Sequence, residues 1–175
     1  ITSESTFRIG SISKMFTSVV ILQLVEEGKL NLSATLDMYF PEFPRAKEVN
    51  IEQLLRHRSG IHNFTNDLEY PTYLGNAHTR DEMLAHITQN GYDFEPGERA
   101  EYSNSNYILL GYIIEQVTGS TYKEQLEKRI CQPLKLNQTK AGFPGKADKN
   151  EALSYENAGT RWDPATNTHM SIPHG

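Results

Sequence analysis

The run FRIGSISKMFTSVVILQLVEEG (residues 7–28) places a hydroxyl, Ser11, and an amine, Lys14, at the front of an otherwise apolar segment. Ile12, Met15, Phe16, Val19, Val20, Ile21, Leu22, Leu24 and Val25 point in nearly every direction around a helix. That pattern predicts a helix buried on all sides, starting near Ser11 and stopped by Gly28 as the left-handed residue past its end. Residues three apart share one helical face, so Ser11 and Lys14 are neighbours. A serine hydroxyl is a weak nucleophile until a base takes its proton. A lysine surrounded by apolar groups loses part of its preference for the charged form and can act as that base. The positive end of the helix would favour an oxyanion developing near Ser11. A second reading stays open, with Ser11 as an N-cap and Lys14 as a snorkelling side chain.

Spacing alone does not decide between them. With 12 Ser and 9 Lys in 175 residues, random placement gives roughly 0.6 Ser-x-x-Lys pairs, and the chain has two. The other, Ser120 to Lys123, leads into Glu124, Gln125, Glu127, Lys128 and Arg129, a solvated face, so Ser120 is read as a cap. Tyr102-Ser103-Asn104 is a further constellation, offering a phenol to relay protons and an amide to hold a substrate amide or a lysine. Its decoy, Tyr155-Glu156-Asn157, falls in a polar loop. Tyr102 instead follows the turn at Pro96-Gly97 and precedes a buried helix. Tyr102 and Asn104 also fit turn and capping roles.

The remaining pattern is helix and loop, with few alternating strand signals. A short helix is expected from Ser33, ending before Pro41. Asn50 is expected to cap residues 51–57, with Gly60 after it. Thr79 and Glu82, and Thr121 and Glu124, have capping-box spacing. An apolar helix is expected over residues 105–117, closed by Gly119. Residues 141–175 are rich in Gly, Pro, Asn and Asp and read as loop.

The bulk numbers narrow the function classes. A chain of 175 residues suits one domain with a real core. A net charge of −5, with no basic stripe, makes nucleic acid and anionic membrane poor partners. The longest apolar run, residues 19–22, is too short to span a bilayer, and no leader pattern opens the chain. Cys131 is the single cysteine, which rules out an internal disulfide and is read as a small buried hydrophobe. The six histidines lack His-Glu-x-x-His spacing, so neither a metal nor another cofactor is expected. Asn63-Phe64-Thr65 and Asn137-Gln138-Thr139 match the glycosylation pattern, a short match of low specificity.

FRIGSISKMFT (residues 7–17) together with FEPGERAEYSNSNYILLGYIIEQVTG (residues 94–119) resembles the serine β-lactamase and penicillin-binding-protein superfamily. The likeness is to the branch of class C β-lactamases, D-alanyl-D-alanine carboxypeptidases, D-aminopeptidases and esterases. LLRHRSGI (residues 54–61) and YKEQLEKRICQPLKLNQT (residues 122–139) add to it. The resemblance implies the α+β fold of DD-peptidases and β-lactamases. The residues present would be its mainly α-helical part, with most of the antiparallel sheet missing. Residues 1–175 would form one incomplete domain, 1–140 the helical core and 141–175 a loop-rich segment leading to the sheet.

The resemblance further implies a serine hydrolase working through an acyl-enzyme on an amide, β-lactam or ester carbonyl. Ser11 would be the nucleophile, Lys14 and Tyr102 the catalytic partners, and Asn104 a substrate-binding group. Whether Lys14 or Tyr102 takes the proton stays open. The competing reading is a catalytically inert binding or scaffold homologue. The family's third motif, Lys-Thr-Gly or His-x-Gly, is not matched: Lys140-Ala141-Gly142 has Ala in the middle, and His174-Gly175 lacks the middle residue. The isolated 175 residues are therefore expected to be inactive and to associate through apolar surface that a sheet would cover. Expected partners are small-molecule or peptide substrates with a D-amino-acid, β-lactam or ester carbonyl, in a periplasmic, secreted or cell-envelope setting. Serine between Tyr102 and Asn104, where relatives often carry alanine, leans the substrate towards peptides or esters.

Overall fold

The computed structural model describes residues 1–141 and 150–165. Its helices are α1 (Ser13–Glu26), α2 (Ile51–Leu55), α3 (Tyr70–Tyr73), α4 (Arg80–Gln89), α5 (Asn104–Thr118) and α6 (Tyr122–Leu126). A two-stranded antiparallel sheet, β1 (Tyr155–Asn157) and β2 (Trp162–Pro164), pairs Glu156 with Asp163. Among the described residues it is the only named sheet, so the chain is mostly helical, as expected.

Helix α5 is the centre. Every residue from Ser105 to Ile114 is buried, and α1, α2 and α6 pack against it. Leu109, Leu110, Ile113 and Ile114 are fully removed from solvent, a burial of about 1.5–3 kcal/mol each. Gly119, in left-handed backbone, ends the helix where the sequence places its stop.

Helix α1 departs from the expectation of burial all round. Lys14, Thr17, Val20, Ile21 and Leu24 are buried, while Ile12, Met15, Val19 and Leu22 form an exposed stripe, with Met15 68% exposed. The apolar composition is real, but only the face that meets α5 and α6 has something to pack on. Its buried face is joined to α6 by Thr17 Oγ1 and Tyr122 Oη, 2.7 Å apart, and to α5 by Ser18 Oγ and Tyr107 Oη, 3.1 Å apart.

The capping chemistry is local, and the cap at Asn50 and both predicted boxes form. Asn50 with Gln53, Thr79 with Glu82, and Thr121 with Glu124 all form reciprocal capping boxes. Thr121, not Ser120, is therefore the cap of α6, and Ser120 Oγ accepts from Gln125 Nε2 instead. Past Leu126 the helix widens into a π-helical turn, Glu127–Cys131, which buries Ile130 and Cys131. Residues 33–38 also differ. Asn31 Oδ1 accepts from the Ser33 amide and hydroxyl, so Ser33 belongs to a turn and helical structure begins only at Leu36–Met38. Tyr155, read as loop, lies exposed in β1.

The stretch after α2 is shaped by backbone. His57 is left-handed, with φ 54°, and Gly60 has φ 77°. Gly60 O accepts from Asp93 N, His62 N donates to Gly91 O, and Glu101 N donates to His57 O. These bonds lay residues 57–62 along residues 91–101. A Cβ on Gly60 would stand 2.1 Å from the Phe94 carbonyl oxygen. Gly60→Ala should therefore cost more than the about 1–2 kcal/mol of left-handed backbone alone. Gly119→Ala, with nothing within 4 Å of the added carbon, should cost only that smaller amount. Urea unfolding of the two variants measures the difference.

Candidate active site

Gly10–Ile12 forms a 3-10 turn, with Gly10 at φ 52°, that delivers Ser11 to the start of α1. Lys14 lies one turn on, on the buried face, and is 7% exposed. Its Nζ donates to Ser11 Oγ at a long 3.4 Å. It also stands 5.2 Å from the ring centre of Tyr102 and 5.4 Å from that of Tyr107, within cation–π range. The amine thus sits against two aromatic rings.

Tyr102 arrives from the other side. It precedes α5, and its Oη is 2.6 Å from Ser11 Oγ across 91 positions of sequence. The same hydroxyl donates to Asn104 Oδ1 at 3.2 Å. The structure therefore brings Ser11, Lys14, Tyr102 and Asn104 into one cluster. Both decoys stay outside it: Lys123 is solvent-facing and near Glu127, and Tyr155 is in the hairpin. Gly142, His174 and Gly175, from the rejected third-motif matches, lie outside the described residues.

Three supports were not legible beforehand. Helix α5 has no cap from its own Ser103 side chain. Its first N–H, on Asn104, donates instead to Asn63 Oδ1 at 2.9 Å. Asn104 Nδ2 donates to Thr65 Oγ1 at 2.9 Å, and Thr65 Oγ1 donates to Asn63 Oδ1 at 3.0 Å. Ser105 Oγ donates to His62 O, at 2.5 Å, fastening the same loop to α5. Asn63 is 7% exposed and fully engaged, so its match to the glycosylation pattern is accidental. His57, third, lies beside Tyr102 and Tyr107, with ring centres 4.7 and 5.1 Å away. Its Nδ1 accepts from Ser103 N at 3.2 Å, which requires that nitrogen to be unprotonated. Among these, only His57 lay in a family-like run; its side chain had no assigned role.

Burial, then the Lys14 charge, push the His57 pKa down. His62 behaves oppositely. Burial pulls it down, but hydrogen bonds and charge from Asp93 and Asp67 outweigh that, and the net shift is upward. Its Nδ1 is 2.8 Å from Asp93 and its Nε2 3.0 Å from Asp67. The cluster is open to solvent, with Ser11 exposed and Tyr102 48% exposed. A cleft of about 610 Å³ lies near the far end of α1, among Glu26, Glu27, Lys29 and Arg129. Its charged walls lack a nucleophile, so the open cluster is the better chemical candidate. Among the described residues no group of His, Cys, Asp and Glu could hold a metal ion.

A helical layer that joins a Ser-x-x-Lys turn to a Tyr-x-Asn helix start agrees with the resemblance to the β-lactamase-like class. The chain belongs to the Beta-lactamase family, whose model matches residues 1–174. The teichoic acid D-alanine hydrolase of Staphylococcus aureus is 31% identical over 138 residues, 79% of this chain and 33% of that protein. The D-stereospecific amidohydrolase from Streptomyces sp. superposes with TM-score 0.83 at 31% identity, over 95% of this chain and 54% of that one. The D-amino acid amidase from Ochrobactrum anthropi SV3, complexed with L-phenylalanine, gives TM-score 0.83 at 31% identity, over 99% and 52%. The chain thus spans about a third of the curated relative and about half of these solved structures. The expected superfamily and fold both hold.

The two histidines should titrate on opposite sides of the ordinary value of 6.5, His57 below and His62 above. Stability tied to neutral His57 is present above pH 6.5 and lost as pH falls through its lowered pKa. Stability tied to charged His62 is present below pH 6.5 and lost as pH rises through its raised pKa. NMR titration of the ring carbons checks the order, and His62→Gln should remove the alkaline loss from a melting-temperature profile.

Proposed function

We propose that the protein is a serine hydrolase that forms an acyl-enzyme at Ser11. The observation that carries this reading is the 2.6 Å contact of Ser11 Oγ with Tyr102 Oη beside the buried Lys14 amine. Ser11 Oγ attacks the carbonyl carbon, and its proton passes into the coupled Tyr102–Lys14 pair. The tetrahedral oxyanion accepts from the Ser11 backbone N–H and from a second donor that family resemblance puts on the third-motif strand. The leaving amine or alkoxide takes the proton back, and water then cleaves the acyl ester. Asn104 Nδ2 carries two N–H bonds; one goes to Thr65, and the other is assigned to the substrate.

For substrate, the reading is an amide, ester or β-lactam carbonyl, with a D-amino-acid derivative favoured. Support comes from relatives named as a D-alanine hydrolase and D-stereospecific amidases. The inert-scaffold alternative is disfavoured because all four motif side chains are present and in contact. The 175 residues alone are proposed to be inactive, since no Lys-Thr-Gly or His-x-Gly sequence occurs in them. The exposed stripe of Ile12, Met15, Val19 and Leu22 is the surface proposed for self-association.

A fluorophosphonate probe should add one adduct to the full-length protein, at Ser11, read by intact mass and peptide mapping. Ser11→Ala should abolish the adduct and lower turnover by about 10⁴-fold or more. An unlabelled full-length protein, or an adduct that survives Ser11→Ala, would reject the reading. Labelling of Ser11 in the isolated 175 residues would reject their inactivity alone.

A further inference from the structure

We propose that Asn63 and Thr65 are positioning residues that fix the direction of the hydrogen bonds running into Ser11. The proposal rests on the hydrolase reading above and deepens it. The direction follows from counting protons, beginning at a group whose role is certain. The backbone N–H of Asn104 can only donate, so the Asn63 atom it meets at 2.9 Å must be the carbonyl oxygen Oδ1. That oxygen can only accept, so Thr65, 3.0 Å from it, gives it the single hydroxyl proton.

Thr65 Oγ1 then has only lone pairs left. The Asn104 side-chain atom 2.9 Å away must be the donor Nδ2, which turns Oδ1 of Asn104 towards Tyr102. Oδ1 can only accept, so the phenol gives its one proton to Asn104. The phenol oxygen consequently faces Ser11 with a lone pair at 2.6 Å, and the serine hydroxyl must donate to it. Lys14 Nζ donating to Ser11 Oγ agrees with that direction. The serine hydroxyl is thus held in a single direction before substrate arrives, with its own lone pairs turned away from Tyr102.

The anchor is rigid. Asn63 is buried, its Nδ2 donates to Asn66 Oδ1 at 3.1 Å, and the loop is tied to α5 through Phe64 N donating to Ser105 Oγ at 3.2 Å. Without the Thr65 hydroxyl, nothing in this chain of bonds distinguishes the two ends of the Asn104 amide. A flipped amide would present N–H to the phenol oxygen, turn the phenol proton towards Ser11 and leave the serine proton without its acceptor.

The test compares Thr65→Val, which keeps shape and removes the hydroxyl, with Thr65→Ser, which keeps the hydroxyl. Both are made in the full-length protein and assayed with p-nitrophenyl acetate as the probe ester. Thr65→Val should lower kcat by about 10- to 100-fold with KM nearly unchanged, as expected for misorientation, and Thr65→Ser should restore most of it. Full activity in Thr65→Val would overturn the proposal, as would equal losses in both variants, which would make the residue a packing element. If the unaltered protein is not acylated at Ser11, the hydrolase reading fails and takes this inference with it. If it is acylated and Thr65→Val matches it, the hydrolase reading stands alone.

Discussion

The complete burial of α5 from Ser105 to Ile114 is the constraint on which the rest of the molecule hangs. A helix with no solvent-facing side along ten residues must be covered on all sides. Helices α1, α2 and α6 supply that cover. Once α1 is pressed against α5, the turn ahead of α1 and the strand-like lead into α5 emerge side by side. Ser11 and Tyr102, far apart in the chain, then meet at hydrogen-bond distance. The cluster around Ser11 is a by-product of packing forces that act well away from it.

The same packing explains the environment of Lys14. Its side chain lies on the face of α1 that also carries Thr17, Ile21 and Leu24, so it is drawn inward with them. There it meets the rings of Tyr102 and Tyr107, which offer negative faces to an amine while excluding water. His57 completes the wall. Its Nδ1 accepts from the Ser103 amide, and burial pushes its pKa down. The loop of residues 61–67 does comparable work from the opposite side, with His62 clamped between Asp67 and Asp93 and Asn63 capping α5.

Several elements were readable in advance because their causes are local. Capping boxes need only residues three apart; both predicted ones form, and the predicted cap at Asn50 closes a third with Gln53. Glycine stops need only a backbone that tolerates positive φ, and Gly28 and Gly119 adopt it. The Ser120–Lys123 decoy could be dismissed from its charged surroundings alone. Some local features were still misread: Thr121 and not Ser120 caps α6, Asn31 holds Ser33 in a turn, and a hairpin forms in a segment that composition marks as loop. The burial of α1 was misread because its cover comes from distant helices.

The sequence by itself determined the apolar helices α1 and α5, their glycine stops and the capping boxes, since each depends on residues near one another in the chain, and it carried the runs that resemble the family. Tertiary structure decided which side of α1 is covered and which stripe of apolar residues is left in water. It also decided that Asn63, Thr65 and His57 stand around Tyr102 and Asn104. The physical reason is that periodicity defines a face without naming what covers it. A hydrogen bond, likewise, has a direction only when donor and acceptor are both in place, and residues 63 and 104 share no local geometry until α5 is buried.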